Sequence, residues 1–113
     1  MKIILLLVLL TVFNLGYGQT VQEIKDQIPT QFTPNDDGLN EFWGPEINQS
    51  IYNYTLKIYN RWGKLFYQSE DVNQSWDGTY MGTPCESGVY IYVVEFWMDS
   101  KHEIIKGAVE LFR

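Results

Sequence analysis

The chain has 113 residues, of which 45% are hydrophobic, 16% aromatic and 19% charged, so it is too apolar to remain unfolded and too short for two sizeable cores. Its formal net charge is −6 and it has no cluster of Lys and Arg, which argues against nucleic acid as a partner. A single Cys and a single His leave no second thiol for a disulfide and too few ligands for a Cys/His zinc site.

The N-terminal residues have the pattern of a secretory signal. Lys2 precedes an apolar run at residues 3–13, and the small residues Gly16 and Gly18 follow it. A membrane-spanning helix needs about 20 apolar residues, which is longer than this run. We therefore predict a signal peptide at residues 1–18 that is cleaved after Gly18, so that the mature chain has no membrane span. We expect export through the inner membrane to the periplasm, followed by secretion or display at the cell surface.

The remaining residues predict a short polar lead at 19–30, as one helical turn or an extended arm, and a single domain at 31–113. Apolar and polar residues alternate at 54–59 and 103–112, which is typical of strands with one covered face. Residues 64–69 follow a turn and complete a hairpin. Residues 88–97 are apolar or aromatic almost throughout and predict a central strand covered on both faces. The domain is therefore predicted to be all-β, as an antiparallel sandwich.

Carboxylate and amide side chains surround Gly38 in the acidic loop, which we define as residues 35–41. Ca²⁺ binds about six to eight oxygen ligands, so one interpretation is a calcium site made by Asn35, Asp37, Asn40 and Glu41. The complete twelve-residue calcium-loop signature is absent. The alternative is a turn in which these side chains bind backbone amides. No other cofactor is predicted.

Two further turns carry aromatic side chains. Arg61 and Trp62 adjoin on a predicted turn, where they either bind carbohydrate or protein or pack against the domain itself. In residues 76–78, Asp77 is placed to accept backbone amides while Trp76 anchors the loop to the core. No pair of carboxylates is marked as catalytic, and we predict that the chain is not an enzyme.

Five blocks of sequence follow one another at residues 32–41, 56–63, 76–82, 87–92 and 106–113. Together, and in this order, they resemble the gliding motility-associated C-terminal domain, which is also called the type B sorting domain of the type IX secretion system. The motif residues of this resemblance are Thr33, Pro34, Asn35, Gly38, Tyr59, Asn60, Arg61, Trp62, Gly63, Trp76, Asp77, Gly78, Gly82, Gly88, Val89 and Tyr90. The resemblance implies an immunoglobulin-like sandwich that outer-membrane secretion machinery recognises, so that an attached cargo crosses the membrane. Only residues 19–30 separate the predicted signal peptide from this domain, so no cargo is obvious.

We expect the secretion machinery to recognise the last strand, because its edge is free to pair with another strand. The residues predicted to take part are Lys106, Gly107, Val109, Leu111 and Arg113.

The alternative function is a small exported module for surface adhesion or glycan binding, with or without calcium. Its contact face would consist of Trp43, Trp62, Tyr80 and the acidic loop. Burial of the tryptophans would remove that face.

Overall fold

The computed structural model describes residues 19–113, and the predicted signal peptide at residues 1–18 lies outside the described residues. The described part of the chain contains one helix and seven strands. In chain order they are α1 (Val21–Gln27), β1 (Gln31–Phe32), β2 (Tyr52–Tyr59), β3 (Leu65–Ser69), β4 (Thr79–Tyr80), β5 (Thr83–Pro84), β6 (Gly88–Met98) and β7 (Lys101–Leu111). The all-β prediction is confirmed.

Five of the strands form one sheet in the order β1-β7-β6-β2-β3, while β4 and β5 form a separate hairpin. Neighbouring strands of the large sheet are antiparallel except β1 and β7, which are parallel. The parallel pair is held where the Glu110 amide donates to Thr30 O and the Phe112 amide donates to Phe32 O. The sequence predicts an antiparallel sandwich, so the short parallel strand β1 is an addition to the predicted fold.

The β6–β7 hairpin is the longest feature of the sheet. The two strands pair without a register shift from Gly88 opposite Leu111 to Met98 opposite Lys101. Asp99 and Ser100 form the two-residue connection, and both have positive φ, at 51° and 63°. Such a connection matches the natural twist of the strands, which explains the uninterrupted register.

The sheet has one covered face and one open face. Alternate residues of β6 and β7 point into the core, and the pattern continues on β2. On the opposite face of β6, Val89 and Ile91 are 47% and 40% exposed. The prediction that β6 is covered on both faces is therefore wrong, because the described chain supplies a second layer on one side of the sheet only.

That second layer consists of short segments rather than long strands. Trp43 and Trp76 are joined by two backbone hydrogen bonds of 2.8 Å and lie fully inside the core. Helix α1 is capped by the hydroxyl of Thr20, and it buries Ile24 completely against the sheet. The polar lead is thus a packed helix. No helix within residues 19–113 is long and apolar enough to cross a membrane.

Candidate functional site

The acidic loop is a closed turn whose side-chain oxygens bind its own backbone amides. Glu41 accepts hydrogen bonds from the amides of Asp36 at 2.9 Å and Asp37 at 3.0 Å. Asp37 Oδ1 accepts from the Leu39 amide at 2.8 Å, and this hydrogen bond lowers the pKa of the Asp37 carboxyl. Asn35 Oδ1 accepts from the Asp37 amide at 3.2 Å. Each of these contacts satisfies a donor that the turn would otherwise leave to solvent.

The four predicted calcium ligands are therefore close in space, but several of their side-chain oxygens already accept hydrogen bonds from backbone amides. Asn35, Asp37 and Glu41 each have an oxygen engaged by a backbone amide. Asn40 has positive φ, at 53°, and its main-chain oxygen accepts from the Thr33 amide. Within residues 19–113, no three His, Cys, Asp or Glu side chains gather closely enough to hold a metal ion. Calcium binding by this loop stays a prediction that titration can test.

The turn at residues 60–63 is built around one asparagine side chain. Asn60 Oδ1 accepts from the amides of Trp62 at 3.0 Å and Lys64 at 2.8 Å, which fixes the path between β2 and β3. Trp62 is 74% exposed, and the Arg61 guanidinium lies 4.3 Å from the centroid of its ring. The indole therefore stands out from the domain with a cation against it.

The predicted aromatic contact face is not assembled. Trp43 is 1% exposed and packs against Tyr92 in the core, with ring centroids 4.9 Å apart. Trp76 is also buried, and its indole N–H donates to Thr79 O at 3.0 Å. Of the three tryptophans considered in the sequence analysis, Trp62 alone reaches the surface.

Asp77 shapes the loop that leads to β4. Its Oδ1 accepts from both the amide and the hydroxyl of Thr79, at 3.0 and 2.7 Å. The next residue, Gly78, has positive φ, at 79°. A Cβ at Gly78 would lie 2.9 Å from Pro34 Cγ and 3.2 Å from Arg113 Nη2, so a glycine is required by both the backbone and the packing.

Arg113 joins this loop to two others. Its Nε donates to Cys85 O, its Nη1 to Pro34 O and its Nη2 to Gly78 O, each at 2.7 Å. We call this set of three hydrogen bonds the Arg113 clamp. The Arg113 amide also donates to Ser87 Oγ at 3.0 Å. The clamp holds together the blocks at residues 32–41 and 76–82 and the turn before β6, because the planar guanidinium has five N–H groups in a fixed arrangement.

The five residues predicted for sorting recognition have different surroundings. Lys106 is exposed, whereas Val109 and Leu111 place their side chains in the core. Gly107 lies beneath the Tyr92 ring, which occupies the place of a Cβ there. Arg113 uses its guanidinium in the clamp. Val109 and Leu111 therefore have buried side chains, and their backbone groups point toward β6 rather than toward the outer edge of β7.

The outer edge of β7 is covered at one end. β1 pairs with Glu110 and Leu111 alone. Since the amides of Glu110 and Phe112 point toward β1 and backbone direction alternates along a strand, alternate residues earlier in β7 point to the same side. These residues are His102, Ile104, Lys106 and Ala108. We call this stretch the open edge of β7; within residues 19–113 no strand pairs with it.

Comparison with known proteins decides the family. Residues 26–111 match the family described as the CHU_C type IX secretion signal domain. The chain belongs to this family. No curated protein matches it. A solved structure of PorZ, described as an essential bacterial surface component of the type IX secretion system of Porphyromonas gingivalis, is 23% identical to it with a TM-score of 0.49. The similarity covers 87% of this chain and 13% of that one.

The secretion role predicted from the five blocks is confirmed by the family match. A type IX secretion signal domain acts through the secretion machinery, and its role is in export to the outer membrane or cell surface. In this secretion signal domain, three of the blocks meet at the Arg113 clamp.

Arg113 is predicted from the sequence to take part in recognition, but its three hydrogen bonds are not predicted. Its three acceptors are main-chain carbonyls. Every residue has such a carbonyl, so residue types do not show which ones are free to accept. The usable signal in the sequence is an Arg placed directly after an alternating strand, because its long side chain can reach the carbonyls of neighbouring loops.

Proposed function

We propose that the type IX machinery recognises this secretion signal domain by adding a strand to the open edge of β7. The observation that carries the proposal is that β1 covers only Glu110 and Leu111, while the strand begins at Lys101. Unpaired backbone N–H and C=O groups along a straight edge are a template for another strand. Recognition of this kind uses main-chain contacts and is compatible with many different attached cargoes.

The side chains beside the open edge support a partner of limited kinds. Ile104 is exposed and offers an apolar contact, while Lys106 carries a positive charge on the same face of the strand. His102 lies 3.2 Å from the Glu95 carboxylate of the neighbouring strand. Lysine on an edge strand discourages two copies of the same edge from pairing, since their charges would approach. An acidic or neutral partner strand suits this edge better than a second copy.

The Arg113 clamp supports the proposal by holding the end of β7. The clamp lies two residues beyond Leu111, where the strand ends, and fixes it against three loops. A strand held at one end and paired along β6 has little conformational entropy left to lose when a partner binds.

The test compares two substitutions at one position. A reporter is placed between residues 18 and 19 of the full chain, and its appearance outside the host cell is measured with the secretion pore present or absent. Lys106→Pro removes an amide that points outward, so β6–β7 pairing survives while one hydrogen bond to an added strand is lost. Lys106→Ala keeps the amide and is the matched control. We expect the alanine variant to be exported like the wild type and the proline variant to remain inside the cell.

Folding of both variants is checked by thermal unfolding of the purified full chain. Ala108→Pro is the second variant, because Ala108 belongs to the same open edge and carries no charge. If a proline variant melts like the wild type and yet remains inside the cell, strand addition is supported. Export of a folded proline variant at the wild-type level contradicts it, and export of the wild type without the pore contradicts the pore-dependent role itself.

We propose also that the domain catalyses no reaction. The carboxylates of Glu41, Asp37 and Asp77 are bound to backbone amides in turns. Burial raises the pKa of the Cys85 thiol, which keeps it protonated and unreactive. We expect a Cys85→Ala variant to be exported like the wild type, and loss of export from a folded variant would contradict this.

A further inference from the structure

A cleft lined by aromatic rings lies between the turn at 60–63 and the β4–β5 hairpin. It has a volume of about 270 Å³ and is open to solvent. The residues that matter for its chemistry are Asn60, Trp62, Phe66, Tyr80, Thr83 and Glu86. We call it the aromatic cleft. Its volume lies just below the range of about 300–1,000 Å³ for small-molecule sites, which suits a ligand the size of one sugar ring.

The aromatic wall of the cleft is made of packed rings. Phe66 and Tyr80 are stacked with ring centroids 4.6 Å apart and an interplanar angle of 13°, and Phe66 also contacts Tyr90. Trp62 stands at the rim and is held by the asparagine-centred turn described above. A ligand that packs on Phe66 and Tyr80 therefore costs little ordering of these rings, and the turn fixes the backbone from which the Trp62 indole projects.

Charges around the cleft restrict the class of ligand. The Arg61 guanidinium lies 4.3 Å from the Trp62 ring centroid, and the Lys64 ammonium lies 4.8 Å from that of Tyr80. Because these rings already have a cation of the protein against them, a cationic ligand gains little by competing for them. An anionic ligand would be attracted by these two cations but repelled by the Glu86 carboxylate in the cleft and by the net charge of the chain, −6, so neither sign of charge has a clear advantage. The site therefore favours an uncharged ligand.

The polar groups of the cleft suit a ligand with hydroxyl groups. Asn60 commits its side-chain oxygen to two backbone amides, so its NH₂ group is the part left to act as a donor. Thr83 and Glu86 are exposed and contribute a hydroxyl and a carboxylate acceptor. A hydrocarbon ligand would displace water from these groups without replacing its hydrogen bonds, whereas a sugar offers C–H groups to the rings and O–H groups to the polar side chains.

We propose that the aromatic cleft binds a neutral carbohydrate, with one sugar ring packed between Trp62 and Tyr80. The site is separate from the open edge of β7, because its lining residues come from the turn at 60–63, β3, the β4–β5 hairpin and the start of β6. It gives the secretion signal domain a contact with neutral surface glycans that does not depend on how the machinery recognises the domain.

The experiment titrates the purified full chain with three probes, maltohexaose, cellohexaose and chitohexaose, and follows tryptophan fluorescence. We expect saturable binding of at least one probe, with a dissociation constant in the range of about 0.1–10 mM. Trp62→Ala should weaken that binding by about tenfold, and Tyr80→Ala by a similar factor. Phe42→Ala is the matched control, since Phe42 is another exposed aromatic residue and does not line this cleft; its binding should equal that of the wild type.

Binding of the variants is followed by calorimetry, because removing Trp62 removes part of the fluorescence signal. The proposal is overturned if none of the three probes binds up to about 20 mM, or if the Trp62→Ala and Phe42→Ala variants bind a probe equally well. Tighter binding of a sulfated glycan than of every neutral probe also overturns it. None of these outcomes bears on export, which is measured separately.

Discussion

The Arg113 clamp offers the most direct test of how this domain is held together. Arg113→Ala removes three hydrogen bonds of 2.7 Å from a charged donor to the carbonyls of Pro34, Gly78 and Cys85. Hydrogen bonds to charged groups contribute about 1.5–3 kcal/mol each, but water can reach part of this exposed residue and replace some of them. We therefore expect the free energy of unfolding to fall by about 2–4 kcal/mol in total.

The assay is thermal and urea unfolding of the purified full chain. In a domain of this size, a loss of that magnitude lowers the melting temperature by about 10–20 °C. Arg113→Lys should give an intermediate value, because a single ammonium cannot reach three carbonyls in the geometry of a guanidinium. Arg61→Ala is the matched control: it removes an arginine that lies over an exposed ring, and it should cost less than about 1 kcal/mol.

Two results would refute this reasoning. One is an Arg113→Ala variant that melts within about 2 °C of the wild type, because the three hydrogen bonds would then contribute almost nothing to stability. The other is an Arg61→Ala variant that is destabilised to the same extent, which would show a general effect of net charge.

Three further predictions concern the loops. Gly78→Ala should lower the free energy of unfolding by about 1–2 kcal/mol more than Gly38→Ala, measured by urea unfolding. Both glycines have φ near +80°, but only at Gly78 would an added Cβ have neighbours within 4 Å. Equal losses would contradict the packing argument. Because the pKa of Asp37 is lowered in the folded state, its contribution to stability is present above the unfolded-state pKa near 3.8 and is lost as the pH falls through the lower folded pKa. The stability difference between the wild type and Asp37→Ala should therefore shrink below about pH 4. A difference that grows there would contradict this prediction. If the acidic loop is a calcium site, millimolar calcium should raise the melting temperature and a chelator should reverse the rise; an unchanged melting temperature rejects calcium binding.

The strands that the sequence predicts well are those with strong local patterns. Alternation placed strands at 54–59 and 103–112, and the structure has them at Tyr52–Tyr59 and Lys101–Leu111. The apolar run at 88–97 became Gly88–Met98. The two-residue strand β1 has no such pattern, because its pairing depends on residues 79 positions later in the chain. Burial of one face or both depends likewise on what covers the sheet, which local sequence does not specify.

The candidate sites were harder to predict for a related reason. The composition of the acidic loop suits both a cation and a set of backbone amides, and only the fold shows that amides occupy oxygens of Asp37 and Glu41. The partners of Arg113 lie 28, 35 and 79 positions earlier in the chain. Contacts at such separations between a side chain and main-chain oxygens carry no periodic signal. Trp43 and Trp62 differ in the same way, since residue type alone cannot distinguish a buried from an exposed indole.

The long separations bridged by Arg113 bear on when this domain becomes recognisable. Its guanidinium can hold all three carbonyls only after distant parts of the polypeptide have reached their native positions. In an incompletely folded copy the C-terminal end of β7 would not be fixed, and a partner strand would bind its edge less tightly. Under the strand-addition proposal, the clamp would make recognition depend on complete folding of the domain.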